Sequence, residues 1–246
     1  SNLVIGGFKA LEDIPVSYDN LKNKWQVRVI QDEVVAVDAA KRSISLARGG
    51  SMTYDRLVLS PGVDFMFDQI PGLNDATAQS RILHAWKAGA QTVALRKQLE
   101  DMKDGGIFAI SIPKAPFRCP PAPYERACLV ASYFKQRKPK SKVIILDANE
   151  EVASKKDLFT KAWADLYSGI VEYRNENEVK DVEPGSNTAI TEFDKLKADV
   201  LNVIPPQRAG DIATKSGLRL INNRWVDVNW LTMESTNTPN VHVLGD

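Results

Sequence analysis

The chain has 246 residues, 43% of them apolar, with 32 basic and 31 acidic side chains and a formal charge of +1. So even a balance carries no electrostatic footprint for nucleic acid or an anionic membrane surface. No apolar run approaches the roughly 18–20 residues of a membrane-spanning helix. Two cysteines and two histidines are too few for a disulfide-built scaffold or a zinc-type site, so no metal is expected. His84 and His242 are read as packing or surface residues. Ser1–Gly7 shows no charged region followed by an apolar one, so no leader peptide is read there.

In chain order, residues 21–60 alternate in short strands. Trp25, Val27 and Val29 lead into the run 34–37, and 41–46 and 51–54 flank Gly49-Gly50, a hairpin signal. The pattern predicts a β-meander that ends in the strand 56–59. Pro61-Gly62 and Pro71-Gly72 mark loops. A long helix is predicted over 82–102, with Leu83, Trp86, Ala90, Val93 and Ala94 as its apolar stripe and Gly105-Gly106 as its stop.

A βαβ unit follows. The run 107–112 has strand length, 123–135 reads as a helix with Pro123 in its first turn, and 142–146 is a second strand stopped by Asp147. An acid there fits the ribose position of a dinucleotide fold. The first turn does not fit: Pro113 to Pro121 contains four prolines, where a pyrophosphate needs glycines and N–H donors. This unit is therefore expected to have the topology of a dinucleotide-binding domain without binding NAD. A helix over 157–167, strands at 170–173, 188–193 and 199–204, and returning strands at 225–228 and 241–244 complete the pattern. No Gly-x-Gly-x-x-Gly occurs in the chain.

Two strands end in ways that suit a nucleotide at a sheet edge: 54–62, closing on Ser60-Pro61-Gly62, and 241–246, closing on Gly245-Asp246. With Lys87 to Met102, Pro116 to Ala127 (PFRCPPAPYERA) and Ala198 to Gly210 (ADVLNVIPPQRAG), the chain resembles the flavoprotein subunit of flavocytochrome c sulfide dehydrogenase. That subunit belongs to the wider sulfide:quinone and disulfide oxidoreductase group. The resemblance implies an α/β flavoprotein with two dinucleotide-binding, Rossmann-like domains. It divides the chain into 1–75, a remnant of the FAD-binding domain with the meander, 76–208, a second NAD-binding-like domain, and 209–246, which returns to the first. It also implies an internal segment, since family members add a Gly-rich FAD turn in front and a further domain behind. In most of them a cysteine just before the segment matching Ser1-Asn2 carries the flavin. Without the Gly-rich turn, this chain alone is expected to bind FAD weakly or not at all.

Cys119 is the candidate catalytic residue. From the residues alone it is either a plain turn cysteine or a thiol favoured as thiolate by Arg118, Arg126 and a following helix. The resemblance implies a redox cysteine beside the flavin, whose family partner has no counterpart here. Cys128 is read as a buried apolar residue, with a Cys119–Cys128 disulfide as an alternative. The resemblance further implies cofactor contacts from Val35, Ser60, Pro61, Gly62, Gly245 and Asp246, and an Arg208 that steers hydrosulfide and stabilises reduced flavin. Trp86, Trp163, Trp225 and Trp230 are read as core or interface residues. The implied activity is sulfide oxidation through a cysteine site and FAD to a c-type cytochrome subunit in the periplasm. The alternatives are a sulfide:quinone oxidoreductase-like enzyme and a non-catalytic docking module.

Overall fold

The computed structural model describes residues 1–246. The chain forms two compact units, Ser1–Pro15 with Met66–Pro206, and Val16–Phe65 with Gln207–Asp246. These differ from the expected 1–75, 76–208 and 209–246. Residues 1–15 join the central unit because Val4 and Ile5 of the short helix Asn2–Ile5 are buried against the helices Ala90–Asp101 and Ala122–Arg137.

The first unit is built on a four-stranded parallel sheet in the order Val200–Val203, Ile107–Ile112, Lys142–Asp147, Val171–Arg174. Its two central strands are buried over nearly their whole length. That is what an unbroken apolar run becomes when a parallel sheet is covered on both faces. The helices Ala122–Arg137 and Lys156–Leu166 make the crossovers. A three-stranded antiparallel sheet, Val179–Glu183, Thr188–Thr191 and Lys195–Lys197, packs beside it. Ala109, Leu146, Ala189 and Leu201 share one core. Gly72 allows close docking of the loop before the sheet. A Cβ there would lie 2.0 Å from the Val182 carbonyl oxygen, and its N–H donates to Asp181 Oδ1 at 2.6 Å.

The helix predicted over 82–102 begins only at Ala90. Residues 82–89 run outside it because Leu83 bridges Asn202 in parallel at the sheet edge, and Ala85 and Gly89 both have positive φ. Leu83 and Trp86 are buried as expected, but on an extended segment. The buried side of the helix is Thr92, Leu95 and Leu99, and Val93 is exposed. At the far end the Lys138 ammonium donates to the Glu100 and Met102 carbonyls, satisfying acceptors that a helix terminus leaves open.

In the second unit the meander forms as predicted, from Val34–Asp38, Ser43–Leu46 and Ser51–Thr53. The strand Leu57–Leu59 is not its last member; it pairs in parallel with Val241–Val243. The predicted lead-in strand at Trp25, Val27 and Val29 does not form: the helix Asp19–Trp25 ends at an exposed Trp25 and residues 26–30 are in neither helix nor strand. Trp225–Val226 closes a small hairpin on Leu220–Ile221 rather than returning to the sheet. Leu59, Ala209, Ala213, Leu218 and Val241 form the core.

Candidate active site

The turn from Ile112 into the helix Ala122–Arg137 is fixed from outside by Asn149. Its Nδ2 donates to the Pro113 carbonyl at 3.1 Å, and its Oδ1 accepts from Ala115 N–H at 3.0 Å. A proline-rich turn cannot supply these bonds itself. Cys119 sits on the turn with φ +55°, exposed, and its carbonyl accepts from Ala122 N–H at 2.9 Å. It opens on a pocket of about 320 Å³ whose walls include Asn2, Trp86, Arg118, Glu125 and Arg126.

Arg126 is 1% exposed and organises this pocket. Nε donates to Asn2 Oδ1 at 3.1 Å, Nη1 to the His84 carbonyl and Asn202 Oδ1, and Nη2 to the Ala85 carbonyl, the last three at 2.8 Å. Its Cζ lies 5.1 Å from the centre of the Trp86 ring. Asn2 in turn donates through Nδ2 to the Ala122 carbonyl at 2.9 Å and to Glu125 Oε2 at 2.7 Å. Asn202 donates back to the Leu83 and His84 carbonyls. The extended 83–86 segment, the first residues and the Cys119 helix are thus held together by neutral acceptors around one cation. Burial, reinforced by the Arg126 and Lys87 charges, lowers the His84 pKa to about 4, so its imidazole is neutral at physiological pH.

Cys119 and Cys128 are free thiols. The alternative Cys119–Cys128 disulfide is not formed in this structure. Burial pushes the Cys128 thiol up, in keeping with a packing role.

Asp147 stands at the strand end where a ribose would be bound, but its oxygens are occupied. Oδ2 accepts from the Tyr124 hydroxyl at 2.7 Å and the Tyr173 hydroxyl at 3.0 Å. Oδ1 accepts from Asn149 N–H at 3.0 Å and Nδ2 at 2.7 Å. The carboxylate is fully buried. With no glycines in the turn and no free carboxylate oxygen, NADH is expected to leave amide exchange around Ser111–Cys119 unchanged. Saturable protection there would contradict this.

In the second unit, Leu57–Leu59 and Val241–Val243 run in parallel, and Leu244 N–H donates to the Leu59 carbonyl at 2.9 Å. This register brings Ser60, Pro61 and Gly62 to the same sheet end as Gly245 and Asp246. Gly62 and Gly245 have φ of +72° and +83°, and a Cβ on either would meet open space. Glycine is needed there for conformation. Arg208 pairs with Asp211 at 2.6 Å, so its charge is already partly offset. Val35 lies at the bulge between Val34 and Ala36. A pyrophosphate-holding glycine turn is not among the 246 residues.

Asn2, Asn202 and the full role of Arg126 are absent from the sequence reading. Asn202 did carry a signal, a lone amide within the apolar run 200–204, since a buried polar group needs partners.

Residues 92–205 match the family model for the central part of the sulfide dehydrogenase [flavocytochrome c] flavoprotein chain. The mitochondrial sulfide:quinone oxidoreductase of Mus musculus is 26% identical over 235 residues, covering 89% of this chain and 50% of that protein. Its Dictyostelium discoideum counterpart is 23% identical over 229 residues, covering 88% of this chain and 49% of the relative. The chain thus spans about half the length of the curated relatives it matches. The sulfide:quinone oxidoreductase of Aquifex aeolicus superimposes with a TM-score of 0.81 at 18% identity, over 99% of this chain and 58% of that one. A pyridine nucleotide-disulfide family oxidoreductase of Enterococcus faecalis V583 gives 0.71 at 17% identity, over 94% and 50%. Together with the parallel sheet and its helical crossovers, these likenesses give the chain the Rossmann-like FAD/NAD(P)-binding fold of the pyridine nucleotide-disulfide oxidoreductases.

Proposed function

We propose that the chain carries the sulfur-handling site of a flavin-dependent sulfide oxidoreductase. The observation that bears most weight is the pocket that joins Cys119 to Arg126 and to the first residues of the chain. A thiol, a buried cation and the segment that follows the flavin-bearing cysteine in the resembling family meet at one place. The Cys119 thiolate and hydrosulfide form an S–S bond, the S–H bond breaks, the proton leaves to water, and two electrons depart. Bound flavin supplies the two-electron acceptor. The chain's residues hold the thiol open to the pocket and keep positive charge near the arriving anion.

We take a c-type cytochrome as the first reading of the acceptor, which the flavocytochrome c wording of the 92–205 match supports; the periplasmic location is carried over from the resemblance alone. The sulfide:quinone oxidoreductase relatives support quinone as the second reading. No helix is long and apolar enough to cross a membrane. The test is anaerobic addition of sulfide to a flavin-loaded longer form that includes a Gly-rich FAD turn, followed by ferricytochrome c or a short-chain quinone. Flavin bleaching by sulfide, with faster reoxidation by cytochrome c, is the expected result. Faster reoxidation by quinone selects the second reading, and no bleaching overturns both.

A further inference from the structure

The contacts of Arg126 leave one feature unused by fold or turn geometry. A guanidinium carries five N–H donors. Nε supplies one, to Asn2; Nη1 supplies two, to His84 and Asn202; Nη2 supplies one, to Ala85. The second N–H of Nη2 has no acceptor. Every hydrogen-bond and ring contact of the group is with a neutral partner, the Trp86 ring included; the Glu125 carboxylate acts on it through space and makes no ion-pair contact with it.

A buried charge without a counter-ion is costly and is normally paired. Here burial is strong enough to bring the Arg126 pKa down to about 9, yet the group remains protonated at neutral pH. Hydrophobic packing alone would be served better by an uncharged side chain. The charge sits on a wall of the same pocket as Cys119. Of the other charged groups there, Arg118 adds to it and Glu125 opposes it. Glu125 is exposed, so water and salt weaken its field, whereas a buried charge acts through a lower dielectric and over a longer reach.

We propose that Arg126 makes the Cys119 pocket selective for small monoanions, with its remaining N–H as the donor, so that hydrosulfide or a hydropersulfide reaches Cys119 in preference to neutral thiols. This deepens the sulfide reading and rests on it for the identity of the natural anion. The selectivity itself can be measured with neither sulfide nor flavin, so either idea can fail while the other stands.

The probe is the pair iodoacetate and iodoacetamide, similar in size and differing in charge, with Cys119 modification read by peptide mass. The rate ratio of iodoacetate to iodoacetamide at Cys119 should exceed that of a cysteine in an unstructured peptide by about three- to tenfold. Arg126→Lys should keep most of that excess and Arg126→Met should remove it. Raising salt to about 0.5 M, where exposed charges are screened within a few ångströms, should preserve most of the excess in the wild-type chain. Arg118→Met should lower it only in part. The salt series and the Arg118 variant decide the matter even if Arg126→Met fails to fold. Loss of the whole excess at high salt, loss of the whole excess in Arg118→Met, or a wild-type ratio equal to the peptide's would each overturn the proposal.

Discussion

Replacing Cys119 with serine is expected to reduce sulfide-dependent flavin bleaching by about a thousandfold or more, since a serine hydroxyl cannot form the S–S bond and is far less nucleophilic than a thiolate. Flavin content and stability should not change. Cys119 is exposed, its side chain makes no structural bond, and surface substitutions away from special features usually cost within about 0.5 kcal/mol. Its φ of +55° is set by the turn and is no harder for serine than for cysteine. Cys128→Ser is the control. It should bleach normally, because Cys128 is a half-buried free thiol within the helix and does not line the pocket. The measurement is anaerobic stopped-flow absorbance of a longer form of the chain, one that includes a Gly-rich FAD turn and is loaded with flavin, mixed with sulfide. A Cys119→Ser rate within about threefold of wild type would remove Cys119 from the chemistry.

How much of this was readable in the residues depends on how local each feature is. The strands Ile107–Ile112 and Lys142–Asp147 and the helix Ala122–Arg137 were legible because long apolar runs and a proline at the helix start are local signals. The Cys119 turn was legible for the same reason. The 82–89 segment was not. Its apolar residues recur with helical spacing, but Leu83 finds a strand neighbour in Asn202, and tertiary pairing overrides a periodic pattern. The same holds for Leu57–Leu59, whose partner Val241–Val243 lies far along the chain. The helix Asp19–Trp25 was missed because its large side chains, Leu21 and Trp25, are exposed and Trp25 also begins the alternation Trp25, Val27, Val29 that follows it. The Arg126 network was the least legible of all. It joins Asn2, His84, Ala85 and Asn202, groups brought together only once the sheet and the helix after it have formed.

The acid at the end of the second central strand illustrates how a familiar position can change its work. Asp147→Ala is expected to cost roughly 3–5 kcal/mol, since it strands several buried donors at about 1–3 kcal/mol each, with partial relaxation. The donors are the Tyr124 and Tyr173 hydroxyls and the Asn149 amide. Against a typical domain stability of about 5–15 kcal/mol, that is a large fraction. Tyr173→Phe removes one hydroxyl and leaves the carboxylate its other partners, so it should cost only about 1 kcal/mol. Burial raises both tyrosine pKa values, and the Asp147 charge raises them further, so both hydroxyls stay protonated donors throughout the physiological range. Urea unfolding of the variants checks these values; an Asp147→Ala loss below about 1 kcal/mol with an unchanged denaturant slope would contradict the clamp. The effect should also reach the site. Asp147 orients Asn149, and Asn149 holds Pro113 and Ala115 in the turn that carries Cys119. Asp147→Ala should therefore speed amide exchange across 113–119 beyond its effect on the rest of the first unit. Uniform acceleration would confine Asp147 to general stability and separate it from the placement of the thiol.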